Sequence, residues 1–275
     1  MYKQILPLFI AIVLFVSCSK FAKVQKSDNV DLKFKAAQKY FENKDYYHAG
    51  QLYEELIPLL KGQSEAEKSQ FFYAYCQYYQ GQLILSAYYF KKFYETYPRS
   101  ELGEEAYYMH CISLYEDSPD FELDQTNTKS ALDAIQVFLE KFPNTSHLTD
   151  CNDMSDKLTF KLELKSFHQA RLYYRMSDFK AGIMCFENVI KDYPSSKFVE
   201  DCHYLKILAQ YKLARISIEE KKKERYNTAT EFYYNFIDKY PNSRYLLSAQ
   251  KTFEKIQKEL KALESNQKKW YQIFG

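Results

Sequence analysis

The sequence contains little glycine, proline or tryptophan. Its 275 residues include only 6 Gly, 7 Pro and 1 Trp, whereas proteins average about 7% Gly and about 5% Pro. Because these two residues form tight turns and interrupt helices, their scarcity argues against a many-stranded sandwich or barrel and favours long helices. It also leaves little material for a glycine-rich phosphate loop. The composition therefore predicts an all-α fold.

The chain also lacks a charge excess and a catalytic signature. Lys and Arg number 38 and Asp and Glu 36, a net charge of +2 that gives no global attraction to nucleic acid. The sequence has no HExxH, GxSxG, GxGxxG or P-loop pattern, and its five histidines are scattered. We therefore expect no enzyme, no metal site, no cofactor and no nucleic-acid partner.

One long apolar run is present, at the N-terminus. Lys3 precedes Ile5–Val16, about a dozen apolar residues where a membrane-spanning helix needs roughly 20, so the run is typical of a secretory signal. Phe15-Val16-Ser17-Cys18 resembles the lipobox of bacterial lipoproteins. The resemblance implies that residues 1–17 are removed and that Cys18 carries covalent lipid, palmitate included. The alternative is an ordinary signal peptide.

The residues after Cys18 suggest where the anchor lies. Ser19 replaces the Asp that would retain a lipoprotein in an inner membrane, so the resemblance implies the outer membrane. Acyl chains contribute about 0.8 kcal/mol per buried methylene and would hold a folded domain there. No later segment approaches 18 uninterrupted apolar residues. We interpret residues 18–31 as the lipidated N-terminus and a polar tether.

The other five cysteines show no regular pairing. They are odd in number, form no CxxC and lack the spacing of a zinc finger. An oxidising compartment would permit a disulfide, but most of them lie beside apolar residues in helical patterns. They are therefore interpreted as small buried core residues: Cys76, Cys111, Cys151, Cys185 and Cys202.

A repeated phrase organises the rest of the chain. An aromatic residue followed by proline and, soon after, by serine or threonine occurs four times, with prolines 45, 51 and 47 residues apart. Before each proline, a small residue stands at position −12 and larger residues at −8 and −5, on one helical stripe. Proline should end each helix, and the serine can cap the next one. The four copies are Ser86/Phe90/Phe93/Pro98, Ala131/Ile135/Phe138/Pro143, Gly182/Phe186/Val189/Pro194 and Ala229/Tyr233/Phe236/Pro241.

The preceding helices carry a related small-then-aromatic spacing, as in Ala37 with Tyr40 and Ala170 with Tyr173. Each unit is thus a helix pair that resembles the tetratricopeptide repeat, with a period longer than the usual ~34 residues. We expect the extra residues at 116–129 and 221–226, between the helices of a pair, and at 147–159, between pairs. The predicted fold is a tetratricopeptide-like helix-pair solenoid of about five repeats over residues 32–244. Residues 245–275 would form a C-terminal capping helix and tail.

The lipobox, the repeats and the phrase Asp124-Gln125-Thr126, with Thr128 completing D-Q-x-x-T, together resemble the BamD family. These are lipoprotein subunits of the machinery that assembles β-barrel proteins in the bacterial outer membrane. The resemblance implies a non-catalytic scaffold, lipid-anchored at the periplasmic face. It also implies that the first units bind unfolded β-barrel substrates, and that the last units and final helix dock the barrel-assembly pore protein.

An aromatic stripe in the first helices is the candidate peptide-binding groove. Tyrosine suits an extended peptide, because its ring offers apolar contact and its hydroxyl can bond backbone groups. Such a stripe can equally belong to the core, and this alternative stays open. The predicted groove residues are Phe34, Phe41, Phe71, Tyr75, Tyr78 and Tyr79.

Two other functions fit a lipid-anchored repeat protein. One is an adaptor for cell-wall division, which would be less expected to carry the long insert of the third unit. The other is a glycan-binding outer-membrane lipoprotein, a class that usually has several Trp residues and long loops; the single Trp counts against it.

Overall fold

The structure is a computed structural model that describes the backbone of residues 20–274 and the side chains of residues 20–265. The expected signal peptide and Cys18 lie outside the described residues. Within the described range every regular element is an α-helix, which confirms the predicted all-α class.

Five helix pairs and a final helix follow one another from residue 30 to residue 274, and residues 20–25 form a short helical segment before them. The two helices of each pair pack against each other, as expected for tetratricopeptide-like repeats; in the fourth pair, Phe167 and Ala170 of α7 share a core cluster with Phe186 and Val189 of α8. The helices are α1 Val30–Glu42, α2 Tyr46–Leu59, α3 Ser64–Tyr79, α4 Leu83–Thr96, α5 Gly103–Glu116, α6 Thr126–Lys141, α7 Leu148–Arg175, α8 Phe179–Asp192, α9 Val199–Arg215, α10 Glu219–Lys239 and α11 Leu246–Phe274.

The chain divides into two compact units, Met1–Leu158 and Thr159–Gly275. The first holds the first three helix pairs and the start of α7, with three clusters of buried apolar side chains. The second holds the rest of α7 and the helices from α8 to α11, with three clusters of its own. Each unit is held together by contacts between helices that are neighbours in sequence.

The repeated stripe forms the core of each second helix. The small residues are buried, and Phe90, Ile135 and Phe186 are fully inaccessible to solvent. Gly182 shows why a small residue is needed, because a Cβ there would lie 3.3 Å from the backbone nitrogen of Tyr174. Tyr233 differs: it is only partly buried and stacks on Phe253, with ring centroids 4.3 Å apart.

The helix ends fall where the prolines predict. The last residues of α4, α6, α8 and α10 directly precede the aromatic residue of each phrase. That aromatic residue takes nearly the same backbone angles each time, as in Tyr97 (φ −123°, ψ 63°) and Phe142 (φ −123°, ψ 65°). Each of the four also donates a final backbone hydrogen bond to the stripe residue four positions earlier.

The serine or threonine after the proline has a different role from the predicted cap. Its hydroxyl oxygen accepts a hydrogen bond from the backbone nitrogen two residues on; Ser100, for example, accepts from Leu102. The helix itself starts one residue later, at Gly103. In three pairs the hydroxyl also donates to a glutamate in the first turn of the first helix of the same pair. These bonds join Ser100 to Glu67, Thr145 to Glu104 at 2.6 Å and Ser243 to Glu200 at 2.5 Å.

The extra residues of the longer repeats lie mostly in helices and not in loops. Residues 147–159 fall almost entirely in α7, which is 28 residues long, and residues 221–226 fall inside α10, which is 21 residues long. The expectation of extra connecting segments at these places was wrong. Only the third pair has a long connection, residues 117–125 between α5 and α6.

Gln125 fastens this connection. Its buried side-chain amide donates to the carbonyl oxygens of Asp120 (2.8 Å) and Leu123 (2.9 Å) and accepts from the Thr128 hydroxyl (2.8 Å). Thr128 is fully buried and also bonds the Ser118 hydroxyl at 2.7 Å. The D-Q-x-x-T phrase therefore has a structural function, since its Gln125 and Thr128 side chains satisfy polar groups of the loop.

Residues 20–25 differ from the expected tether. Phe21 is only 7% exposed and packs against Tyr40 and His48. Gln25 donates to the Glu55 carboxylate at 2.9 Å, and the same carboxylate accepts from Lys33 at 2.8 Å. This segment is docked on the first helix pair.

The five described cysteines are free thiols, and all but the half-buried Cys185 are buried. Burial raises the pKa of the Cys76 and Cys202 thiols to about 12, and burial next to Asp150 raises that of Cys151 to about 11. They act as small core side chains, as predicted.

Replacing Gln125 tests whether the long connection depends on it. Gln125→Ala leaves the two carbonyls and Thr128 without this partner, so the free energy of unfolding should fall by about 1–3 kcal/mol. Urea denaturation followed by circular dichroism measures the change. Gln136→Ala, at an exposed position of α6, is the matched control and should have little effect. Equal stability of the two variants would contradict the assigned role.

Candidate peptide-binding site

Aromatic side chains meet on the first unit where the end of α1, the start of α2 and the last turns of α3 come together. We call this set the aromatic face: Phe41, Tyr46, Tyr75, Tyr78 and Tyr79. Tyr75 and Tyr79 are four residues apart on α3 and therefore share one side of the helix. Asp45 caps α2 and places Tyr46 at its first position, beside α3.

The rings form a continuous contact. Tyr79 stacks on Tyr46 with centroids 4.3 Å apart and on Tyr75 at 5.8 Å. Phe41 lies edge-on to Tyr46 at 5.4 Å and tilted to Tyr79 at 6.3 Å. Tyr79 is 50% exposed, while the rings beneath it are half-buried. The face thus offers a preformed apolar surface that solvent reaches mainly through Tyr79.

The hydroxyl groups connect α3 to the first helix of the next pair. Tyr75 donates to Glu105 at 2.5 Å and Tyr78 donates to Glu116 at 2.7 Å. Burial, followed by the bonded carboxylate, raises the pKa of both phenols, so both stay protonated as donors. One helix pair further on, Tyr108 of α5 donates to Asp150 of α7 at 3.1 Å in the same way, and burial with that carboxylate raises the pKa of Tyr108 to about 12.

Most of the predicted groove residues lie together, with two exceptions. Phe41, Tyr75, Tyr78 and Tyr79 are all in the aromatic face. Phe34 lies two turns earlier on α1 and packs edge-on to the buried Tyr53 at 6.5 Å.

Placing Phe71 in the groove was wrong. It is only 3% exposed and packs against Phe93 at 5.3 Å and Phe90 at 6.1 Å. The reason is its direction: α3 turns Phe71 and Ala74 toward α4 and α5, where they join the core cluster of Phe90 and Phe93. The core interpretation therefore holds for this one member of the stripe.

The sequence prediction missed Tyr46, Glu105 and Glu116. Tyr46 directly follows the capping Asp45, a helix-start signal that could have placed it next to the end of α1. The two glutamates stand 30 and 38 residues after the tyrosines that they accept from. These separations lie on either side of the ~34-residue period of the usual tetratricopeptide repeat, which is a sequence sign that equivalent helices face each other.

The arrangement offers ring and carboxylate contacts to a ligand. Within residues 20–265 no group of three His, Cys, Asp or Glu side chains could hold a metal ion. None of the described helices has the length and apolar character that crossing a bilayer requires. What the face provides is stacked rings with carboxylates along one edge.

A second surface feature belongs to the second unit. It is a cleft of about 780 Å³ between the later part of α7, the start of α9 and the loop before α11. Two stacked aromatic pairs line it: Phe167 on Phe198 at 4.5 Å and Tyr204 on Tyr245 at 4.3 Å.

Charges of both signs surround these rings. Asp201 accepts from the Tyr245 hydroxyl at 2.5 Å and from Arg244 at 3.1 Å. Lys197 lies 4.3 Å from the Phe160 ring centroid, and Arg171 lies over Phe167 at 5.7 Å. Exposed ion pairs of this kind contribute little to stability, but aromatic residues and Arg are enriched at protein-binding surfaces.

Two histidines are held neutral inside the units. His110 is buried and donates from Nδ1 to the Ala87 carbonyl at 2.8 Å, and burial lowers its pKa to about 4. Burial, together with Lys239 and Lys206, lowers the pKa of His203 to about 4 as well. His110 lies in the core, and the half-buried His203 packs against Tyr240.

The paired helices define a tetratricopeptide-like repeat protein. A model of the YfiO family, described as "Outer membrane lipoprotein", matches residues 26–197 and 162–273. The chain belongs to this family.

The chain is similar to curated proteins named "Outer membrane protein assembly factor BamD". The protein from Rickettsia prowazekii (strain Madrid E) is 26% identical over 213 residues, covering 78% of this chain and 76% of its own. The protein from Neisseria meningitidis serogroup A is 22% identical over 206 residues, covering 71% and 77%. The protein from Caulobacter vibrioides is 24% identical over 131 residues, covering 48% and 43%.

Two solved structures resemble the chain at lower similarity. A TPR repeats protein from Bacteroides fragilis has a TM-score of 0.42 at 13% identity, covering 86% of this chain and all of that one. The TPR2AB domain of yeast Sti1, in a complex titled with pHSP90, has a TM-score of 0.41 at 14% identity, covering 87% and 95%.

Acid should destabilise the protein through its buried histidines. The unfolded chain binds a proton at His110 below about pH 6.5, whereas the folded chain does so only near pH 4. The unfolded state therefore holds more protons in this window, and the free energy of unfolding falls as pH drops from 6.5 to 4. His110→Gln should reduce the loss by about 1–3 kcal/mol in urea titrations at pH 7 and pH 5. The control is His48→Gln, at a partly exposed position. If His110→Gln loses as much unfolding free energy between pH 7 and pH 5 as the wild type, the prediction is contradicted.

Proposed function

We propose that the protein is a non-catalytic, lipid-anchored scaffold that helps assemble β-barrel proteins in the bacterial outer membrane, at its periplasmic face. Membership of the outer membrane lipoprotein family and similarity to BamD proteins over most of the chain support this role. The observation that carries the proposal is the aromatic face, a preformed apolar surface on a chain with no metal-binding cluster among its described residues. Anchoring would come from lipid on Cys18.

The proposed ligand of the aromatic face is an extended segment of an unfolded β-barrel protein. Strands of such barrels alternate apolar and polar residues. One apolar side chain of the segment would rest on Tyr79 and Tyr46, while its backbone N–H groups would donate to Glu105 or to phenol oxygens. Rigid tyrosine rings lose little side-chain entropy on binding, which suits the capture of many different sequences.

The proposed second partner is the barrel-assembly pore protein, docked on the second unit and the final helix. The cleft supports this, because it presents two stacked aromatic pairs beside Arg171, Lys197 and Asp201. A partner with apolar side chains and a few carboxylates would complement it.

Removing the exposed rings should weaken peptide binding. In the double variant Tyr46→Ala/Tyr79→Ala the stacked pair is lost, and we expect the Kd for a labelled peptide from the last strand of a β-barrel protein to rise about tenfold, equivalent to about 1.4 kcal/mol. Fluorescence anisotropy with the purified full-length lipoprotein in detergent gives the Kd.

The matched control is Tyr88→Ala, which removes a ring that is 53% exposed on α4 of the same unit. Tyr88→Ala should bind like the wild type. Equal loss in both variants, or none in the double variant, would refute the aromatic face as the peptide site.

Reversing charge in the cleft should release the second partner. The double variant Arg171→Glu/Lys197→Glu places two carboxylates beside Asp201 and should repel an acidic partner surface, at a cost of several kcal/mol. Affinity capture from detergent-solubilised outer membranes, followed by quantitative mass spectrometry, should recover the pore protein with the wild type and lose most of it with the variant.

The control for this capture is Lys180→Glu/Lys191→Glu, which makes the same charge change at exposed positions of α8 away from the cleft-lining residues. It should retain the partner. Capture of a cell-wall enzyme or a glycan transporter in place of the pore protein would contradict the assembly role itself.

A further inference from the structure

The docked segment at residues 20–25 fixes where the chain leaves the first unit. Phe21 is buried, with its ring 4.2 Å from that of His48 and 5.7 Å from that of Tyr40. Gln25 is held by the Glu55 carboxylate of α2. Residue 20 therefore has a defined position against the first helix pair.

Chain length then limits the distance to the anchor. Cys18 stands two residues before Lys20, and two residues span at most about 7 Å. A lipid on Cys18, which is part of the proposed function, would enter the bilayer directly beside the first helix pair. The long polar tether that would let the domain move away from the membrane is missing.

A cavity of about 320 Å³ lies at this place, between the segment and α1. Its floor is apolar, from Val24 and Ala36, and two lysines stand at its rim. Its lining residues are Lys20, Val24, Ala36, Lys39, Tyr40 and Asn43. Lys20 and Lys39 are exposed, and neither has an ion-pair partner within 4 Å among residues 20–265.

The surrounding surface carries an excess of positive charge. Residues 20–45 contain seven lysines, of which only Lys33 is paired, with Glu55. The same stretch has four acidic residues, and one of them, Asp45, is engaged in capping α2 and bonding His48. Tyr47, which is 60% exposed, lies against His48, the residue that also contacts Phe21; the Tyr47 and His48 ring centroids are 5.4 Å apart.

We propose that this surface, defined by Lys20, Lys23, Lys39 and Tyr47 and named the membrane face, lies on an anionic phospholipid surface. Lys20 and Lys39 bind headgroup phosphates over the cavity, because lysines near a membrane are attracted to anionic lipids. Tyr47 sits at the headgroup level, where tyrosine is enriched in membrane proteins. Lipidation supplies the anchor, and the membrane face sets the orientation of the first unit.

The test places a fluorescent reporter on the membrane face. In the full-length lipoprotein, Trp270→Phe removes the single Trp, and Tyr47→Trp then adds one on the face. The protein is reconstituted in vesicles of phosphatidylethanolamine and phosphatidylglycerol, with or without bromine near the headgroup end of the acyl chains. Tyr88→Trp, at an exposed position of α4, is the matched reporter.

The expected result is quenching by brominated lipid at position 47 and little at position 88. Lys20→Gln/Lys39→Gln should lower the quenching at position 47 about twofold, and so should replacing phosphatidylglycerol with phosphatidylcholine. Lys91→Gln/Lys92→Gln, at exposed positions of α4, should leave it unchanged.

Equal quenching at positions 47 and 88 would overturn the proposed orientation. If quenching at position 47 changes neither in the lysine variants nor with the charge of the lipid, headgroup binding is overturned. The intact mass of the purified protein shows whether Cys18 carries lipid. A mass without lipid would refute the lipidation. Binding of that unlipidated protein to the same vesicles would still test the membrane face.

Discussion

Three of the five helix pairs are closed at one end by a hydrogen bond between a hydroxyl and a glutamate, and this closure recurs in both units. Proline stops the second helix, the preceding aromatic residue takes a fixed backbone conformation, and the next hydroxyl reaches back to the first turn of the partner helix. Ser100 with Glu67, Thr145 with Glu104 and Ser243 with Glu200 repeat this closure. The glutamate sits near a helix N-terminus, where negative charge is favoured.

This closure leaves the other ends of the first helices to make contacts between pairs. In the first unit those contacts are made by tyrosines: Tyr75 and Tyr78 donate to carboxylates of α5. The same helix presents Tyr79 to solvent, so one stretch of sequence both joins two pairs and forms the aromatic face. The half-buried, hydrogen-bonded rings hold the exposed Tyr79 ring in place, so the aromatic face is pre-organised.

The sequence predicted those features of the fold that depend on residues close in the chain. It did not predict the features that depend on packing between helices. Pro98 and its equivalents determine the helix ends, and the small-to-large stripe determines the core, because both depend on neighbours within one or two turns. Phe71 and Phe72 could not be distinguished, because α3 carries aromatic residues nearly all round and only contact with α4 turns Phe71 inward. Nothing in residues 147–159 indicated that they would lengthen α7. The docking of Phe21 was also missed, because it depends on Tyr40 and His48, which lie far along the chain.

The buried free thiols have a consequence for how the chain avoids cysteine oxidation after export. In the proposed periplasmic location an unfolded chain would expose five reactive cysteines to oxidation. Each unit is built from helices that contact their neighbours in sequence, a topology of short-range contacts that folds quickly. Folding therefore competes with mispairing in time, and once it is complete four of the five thiols are buried, while Cys185 stays half-buried. In the proposed location, fast folding would protect those four thiols from oxidation.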